Sequence, residues 1–167
     1  WKHIPASCFL EFRGQLYFGT EDGRICRFNN DDPLSTRFSD DGEAINCCLC
    51  TKADDDGDFM RKKTMLKQGS GLMIKPYTRS SVEGFIKEDW QKEQVLQRAT
   101  MDIFDWNDVD FTRFAFHTGD GPQVIPFSKR VRNYIALQFI LQNCVVNEGF
   151  GVFGIIKRYC TGSYVKK

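Results

Sequence analysis

A helix that crosses a membrane needs about 18 or more consecutive apolar residues, and no stretch of this sequence approaches that length. An excess of one charge is lacking too: 23 basic side chains stand against 22 acidic ones, for a formal net charge of +1. That balance offers no basic field to hold nucleic acid and no acidic field to steer cations. Histidine is scarce, with only His3 and His117. No G-x-S-x-G elbow and no phosphate loop occur, so the best-marked hydrolase and nucleotide-binding chemistries have no foothold. Internal repeats and low-complexity tracts are missing as well. No signal-peptide pattern is visible; the chain begins at Trp1 rather than Met, so this says little about secretion.

Aromatic side chains are what the sequence has in quantity. Fifteen Phe, five Tyr and three Trp bring aromatics to 14%. Aromatic and β-branched residues suit pleated, half-buried surfaces, and the composition leans towards sheet. At 167 residues the chain can enclose one good core, or one domain and part of another.

The clearest local pattern is CFLEFRGQLYFGTEDGRICRF, residues 8–28. Apolar runs at 8–12, 15–19 and 24–28 are separated by Arg13-Gly14 and by Glu21-Asp22-Gly23. Glycine tolerates the positive φ that tight hairpin turns need, which predicts a three-stranded meander. Residues 29–43 are loop-like, with Asn29-Asn30-Asp31-Asp32-Pro33 and Asp40-Asp41-Gly42. Ile45–Thr51 reads as a strand with Cys48 and Cys50 on one face and Cys47 and Leu49 on the other. Lys63–Lys67 and Leu72–Tyr77 are expected to pair around Gln68-Gly69-Ser70-Gly71. Residues 80–100 fit either a short helix, capped by Ser80 and Glu83, or strand, and strand is favoured. Residues 130–141 and 150–159 are expected to form a second hairpin across the polar turn 143–149. The predicted fold is all-β and mainly antiparallel: a propeller-blade-like meander at 1–38, packed on a β-sandwich at 39–167, with room for one short helix.

Each candidate for chemistry has a plainer explanation. The seven cysteines are odd in number and three crowd into Cys47, Cys48 and Cys50, unlike a disulfide framework. Reduced thiols, behaving as small buried hydrophobes, are the simplest reading. Cys47-x-x-Cys50 has the spacing of half a zinc site, but no second pair completes four ligands, and a strand turns the two side chains to opposite faces. The βαβ context of a redox dithiol is missing. Asp54, Asp56 and Asp58 offer oxygens for calcium, yet Met65 stands where the loop needs a glutamate, so a solvated turn is expected. Gly149-Phe150-Gly151-Val152-Phe153-Gly154 has the glycine spacing of a dinucleotide turn without its helix. His117 has no marked nucleophile partner, Ser128 and Cys144 being available only if the fold brings them close. Arg61-Lys62-Lys63 and Lys129-Arg130-Val131-Arg132 are short basic clusters best read as edge lysines and arginines that discourage aggregation. No cofactor and no metal are expected.

The aromatic-rich segment 101–116 carries Asp102, Phe104, Asp105, Trp106, Asp108, Asp110, Phe111, Phe114 and Phe116. Carboxylates among aromatic rings are what sugar-processing sites use, and acids between strands are equally common as turn formers. Phe104, Asp105, Trp106, Asp108, Asp110 and Phe111 are therefore the candidate binding or interface residues.

Gly14-Gln15-Leu16-Tyr17-Phe18-Gly19-Thr20-Glu21-Asp22-Gly23-Arg24-Ile25 resembles part of a β-propeller blade. Together with Arg61-Lys62-Lys63-Thr64, Phe104-Asp105-Trp106, Asp110-Phe111-Thr112-Arg113-Phe114 and Asn147–Ile155, the layout resembles the C-terminal portions of phage and prophage tail proteins that join a propeller to a β-sandwich. The resemblance covers most of the chain loosely and residues 8–28 more tightly. It implies a structural, non-catalytic role in a tail, adaptor or nozzle, with other virion proteins as partners and a homo-oligomer as the form. It also implies that the chain continues into further blades, and that it resides in the virion or, expressed from a prophage, in the bacterial cytoplasm. A carbohydrate- or receptor-binding module, with a surface glycan as ligand, is the first alternative. A hydrolase whose site is assembled only in the fold is the second.

Overall fold

The structure, a computed structural model, describes residues 4–28, 38–40, 42–75, 77, 79–100, 121–149 and 151–165. Every helix or strand among them is a β-strand, and each strand pair runs antiparallel. The chain is all-β, as the aromatic composition suggests. It divides into two compact units, Trp1–Pro33 and Leu34–Lys167.

The first unit is the meander: β1 (Ala6–Phe12), β2 (Gln15–Thr20) and β3 (Ile25–Arg27), in that spatial order. Phe12 pairs Gln15 across a two-residue turn in which Arg13 and Gly14 both have positive φ, 52° and 74°. Two positive φ values give the type I′ turn, whose twist matches that of the flanking strands. The β2–β3 turn is closed by Thr20, whose N–H donates to the Arg24 carbonyl at 3.0 Å and whose hydroxyl accepts from the Arg24 N–H at 3.0 Å. Gly23 takes its left-handed position, with φ 85°.

The second unit contains β4 (Ser39–Asp40), β5 (Glu43–Ala44), β6 (Cys47–Cys50), β7 (Arg61–Met65), β8 (Gly71–Ile74), β9 (Ser81–Glu88), β10 (Gln94–Thr100), β11 (Gln123–Pro126), β12 (Val131–Tyr134), β13 (Leu137–Asn143), β14 (Val152–Ile156) and β15 (Tyr159–Tyr164). One four-stranded sheet has the order β10-β9-β13-β6. The orders β11-β8-β14 and β12-β7-β15 are one arrangement interrupted by a corner. Leu72 sits between Ile125 and Ile155, and Met65 between Val131 and Tyr159. Three long bent strands result, with β7/β8 in the middle. Ser70 pins the corner: its carbonyl accepts from Phe127 N–H at 3.0 Å, and its hydroxyl accepts from Arg158 N–H at 2.9 Å.

Both sets of strands share one core. Val82, Ile86, Leu96, Leu137, Phe139 and Leu141 come from the four-stranded sheet, and Met65, Leu72, Ile74, Phe127, Val131 and Tyr134 from the bent strands. Phe127 stacks on Phe139 with centroids 5.7 Å apart. Burial alternates along β9, with Val82, Gly84 and Ile86 inside, as a strand with one covered face requires.

Two expected hairpins are corrected. β7 and β8 do not pair with each other; the chain turns a corner at Gln68–Ser70 and continues in the same direction between new neighbours. Gly71 is needed there for close approach, since a Cβ at that position would lie 2.6 Å from the Ile125 carbonyl oxygen. The predicted pairing of 130–141 with 150–159 also fails. Residues 131–143 split at Ile135-Ala136 into β12 and β13, which belong to different sheets, while β14 and β15 pair with β8 and β7. Within 80–100 the strand reading holds and the helix reading does not: β9 and β10 pair through the turn at Asp89-Trp90.

Candidate functional site

The six residues favoured from sequence, Phe104, Asp105, Trp106, Asp108, Asp110 and Phe111, lie outside the described residues, as do His3 and His117. Ser128, one of the two nucleophiles considered for His117, has its hydroxyl committed to the Leu96 carbonyl at 2.6 Å. The basic cluster at 61–63 is divided by burial, which deepens along β7 from Arg61 to Lys63. Arg61 reaches the Tyr164 hydroxyl at 2.8 Å, whereas Lys63 is 1% exposed and donates to the carbonyls of Ile135, Arg61 and Asp58.

The Asp54–Asp58 turn does gather carboxylates around a cation, and the cation is a lysine. Lys157 Nζ lies 2.5 Å from Asp56 Oδ1 and 3.1 Å from Asp54 Oδ2. Asp58 faces elsewhere, its Oδ1 accepting from Met60 N–H at 3.0 Å. Among the described residues, no group of three or more His, Cys, Asp or Glu side chains could hold a metal ion. Burial pushes the Asp54 carboxyl up, but the hydrogen bond and charge of Lys157 outweigh it and hold the group below its ordinary range. The Tyr134 hydroxyl is pushed well up, first by burial and then by the Asp56 carboxylate. Neither Tyr134 OH nor Asp56 Oδ2 has a hydrogen-bond partner among the described residues. The Asp-x-Asp spacing signalled the carboxylate pair; nothing near residue 157 signalled its lysine.

Two further polar knots are structural. Asp89 Oδ1 accepts from Ile135 N–H at 2.7 Å and Ala136 N–H at 2.9 Å, fixing the point where the chain passes from β12 to β13. Buried Glu148 accepts from the Ser81 hydroxyl and from Asn143 Nδ2. Both knots satisfy backbone or side-chain groups that burial would otherwise leave unpaired.

The cysteines depart from expectation. Cys8, Cys48, Cys50, Cys144 and Cys160 are exposed and Cys26 and Cys47 half-buried, all seven free; none fills the core. The core positions are taken by larger aliphatic and aromatic groups. Cys48 and Cys50 share a face as alternation predicts, their sulfurs 3.7 Å apart. The contact with Cys48, followed by burial, pushes the Cys50 thiol up.

The meander presents apolar groups on both faces. The register places Phe9 opposite Phe18 and Phe18 opposite Cys26 on one face, and Leu10 opposite Tyr17 and Gly19 opposite Ile25 on the other. Phe9 is 61% exposed, Leu10 63% and Ile25 83%. Phe12 and Leu16 are exposed as well.

Comparison with protein families, with curated proteins and with solved structures found no match. No helix among the described residues is long and apolar enough to cross a membrane.

Proposed function

We propose that this chain is a non-catalytic structural component of a bacteriophage or prophage virion, in a tail, adaptor or nozzle, and that it works by assembling with copies of itself and with other virion proteins. The single observation that carries the reading is the two-faced apolar meander. A sheet with one wet face alternates polar and apolar residues; β1–β3 instead expose Phe9 on one side and Leu10 and Ile25 on the other. Burying each such side chain contributes about 1.5–3 kcal/mol, and exposed apolar surface of this kind marks interfaces. A propeller blade has this need for covering on both faces, supplied by its neighbours in a radial array. The non-catalytic part is supported by the engagement of the polar groups within the fold: Asp54 and Asp56 by Lys157, and Ser128 by a strand carbonyl.

Light scattering on the eluting peak of a size-exclusion column tests this. Multimers are expected from the unaltered chain, and Leu10→Asp with Ile25→Asp should shift them to monomer while leaving the melting profile of the larger unit intact. A monomer at every concentration tried, unaffected by those substitutions, sinks the proposal.

A further inference from the structure

We infer that Cys48 and Cys50 form a bidentate thiolate site for a soft, thiophilic metal cation of the zinc or cadmium class, on the outer face of the four-stranded sheet. Among the described residues β6 lies at the edge of its sheet and pairs with β13 alone. Cys48 and Cys50 project from the same face and both are exposed, so a solvated ion reaches them without opening the core. Their sulfurs are 3.7 Å apart. Two thiolates bound at about 2.3 Å to a tetrahedral ion lie about 3.8 Å from each other, so the pair is spaced for chelation before any ion arrives.

The same geometry disfavours the competing fate, a disulfide. Residues two apart on a strand have Cα atoms about 6.6–6.8 Å apart, at the far limit of the roughly 4.4–6.8 Å range that disulfides span. Closing the bond would require the pleat of β6 to contract while four backbone pairings hold it to β13 from Ile140 to Asn143. A metal ion bridges the sulfurs without that contraction.

A neighbouring group supports the assignment. Gln142, opposite Cys48 in the register, places Nε2 3.9 Å from its sulfur, and a donor to a ligating atom orients it. Cys47 points to the other face and takes no part. On binding, each thiol gives its proton to solvent and its sulfur lone pair to the ion. No electron changes hands. Two of four tetrahedral positions remain for water or a small donor, so the site is open, unlike a closed structural zinc site.

The test is a titration of the full, reduced chain with cadmium chloride, following the ultraviolet thiolate-to-cadmium charge-transfer absorption. One tight phase is expected above any weak binding by isolated thiols. Cys48→Ser and Cys50→Ser should each weaken that phase by about 100-fold, because the second sulfur's contribution is one of effective concentration. Cys47→Ser and Cys160→Ser should leave it within about threefold, less than the loss of even an orienting neighbour. Cys50→His, which keeps a ligand atom, should restore part of the affinity and shows that loss in the serine variants is not loss of fold. A titration with no tight phase overturns the inference. So does a tight phase that survives in Cys48→Ser and Cys50→Ser, or one that disappears in Cys47→Ser.

Discussion

The two units of this protein are built from the same kind of strand and differ in what they do with their side chains. The larger one closes around a core in which Met65, Ile86, Leu137 and Leu141 are wholly buried. It even takes in Lys63, and Lys157 with Asp56. Among the described residues of the meander only Thr20 is buried, and the large apolar groups face outward. The larger unit holds itself together; the smaller has good turns and good pairing but, among its described residues, no buried apolar side chain. Three-stranded sheets need a covered face for independent stability, so regular hydrogen bonding alone does not make a domain.

The largest effect that would sharpen this contrast is at the buried ion pair. Lys157→Met should cost about 3–5 kcal/mol in urea unfolding, since Asp56 is left buried and unpaired. Arg24→Met, which breaks the exposed Arg24–Asp22 pair of the meander, should leave the midpoint unchanged. Next comes apolar truncation. Leu137→Ala should cost about 2–5 kcal/mol through lost burial and a residual cavity, whereas Leu10→Ala, measured on monomer at low protein concentration, should stay within about 0.5 kcal/mol. Equal costs for that pair of truncations would mean that the meander has a covered core of its own. The smallest effect is pH dependence. The Asp54 carboxyl is held below its ordinary value of 3.8, so its contribution to stability is full above that value and is lost as pH falls through the lower folded value. The stability gap between the unaltered chain and Asp54→Asn, followed by urea midpoints across acid pH, should therefore close on acidification.

What could be read from the sequence was what is encoded locally. Arg13-Gly14 and Asp22-Gly23 state their turns in adjacent residues, and the alternation of Cys47, Cys48, Leu49 and Cys50 states their faces. The sandwich connections are not local, and there glycines misled. Gln68-Gly69-Ser70-Gly71 looks like a hairpin turn, but Ser70 bonds to Phe127 and Arg158, and Gly71 makes room for Ile125. Gly149 likewise serves packing: a Cβ there would lie 2.4 Å from the ring of Tyr77. The hairpin between β9 and β10 turns on Asp89 and Trp90, at φ 45° and 62°, and a bulky residue such as Trp rarely advertises a left-handed backbone. The lysine beside Asp54 and Asp56 comes from 103 positions away, beyond any spacing rule.

The separation of strand partners also sets a clock. The meander completes within one short stretch of chain. β6, by contrast, has β13 as its ladder partner among the described residues, and Cys48 meets Gln142 across 94 positions. At roughly 5–20 residues per second, a ribosome needs on the order of 5–20 s to make that interval. Throughout it, the Cys47–Cys50 strand waits without the neighbour that orders it, while the two closely spaced sulfurs of Cys48 and Cys50 are already made. Any thiophilic ion available during synthesis meets these cysteines before the sheet does.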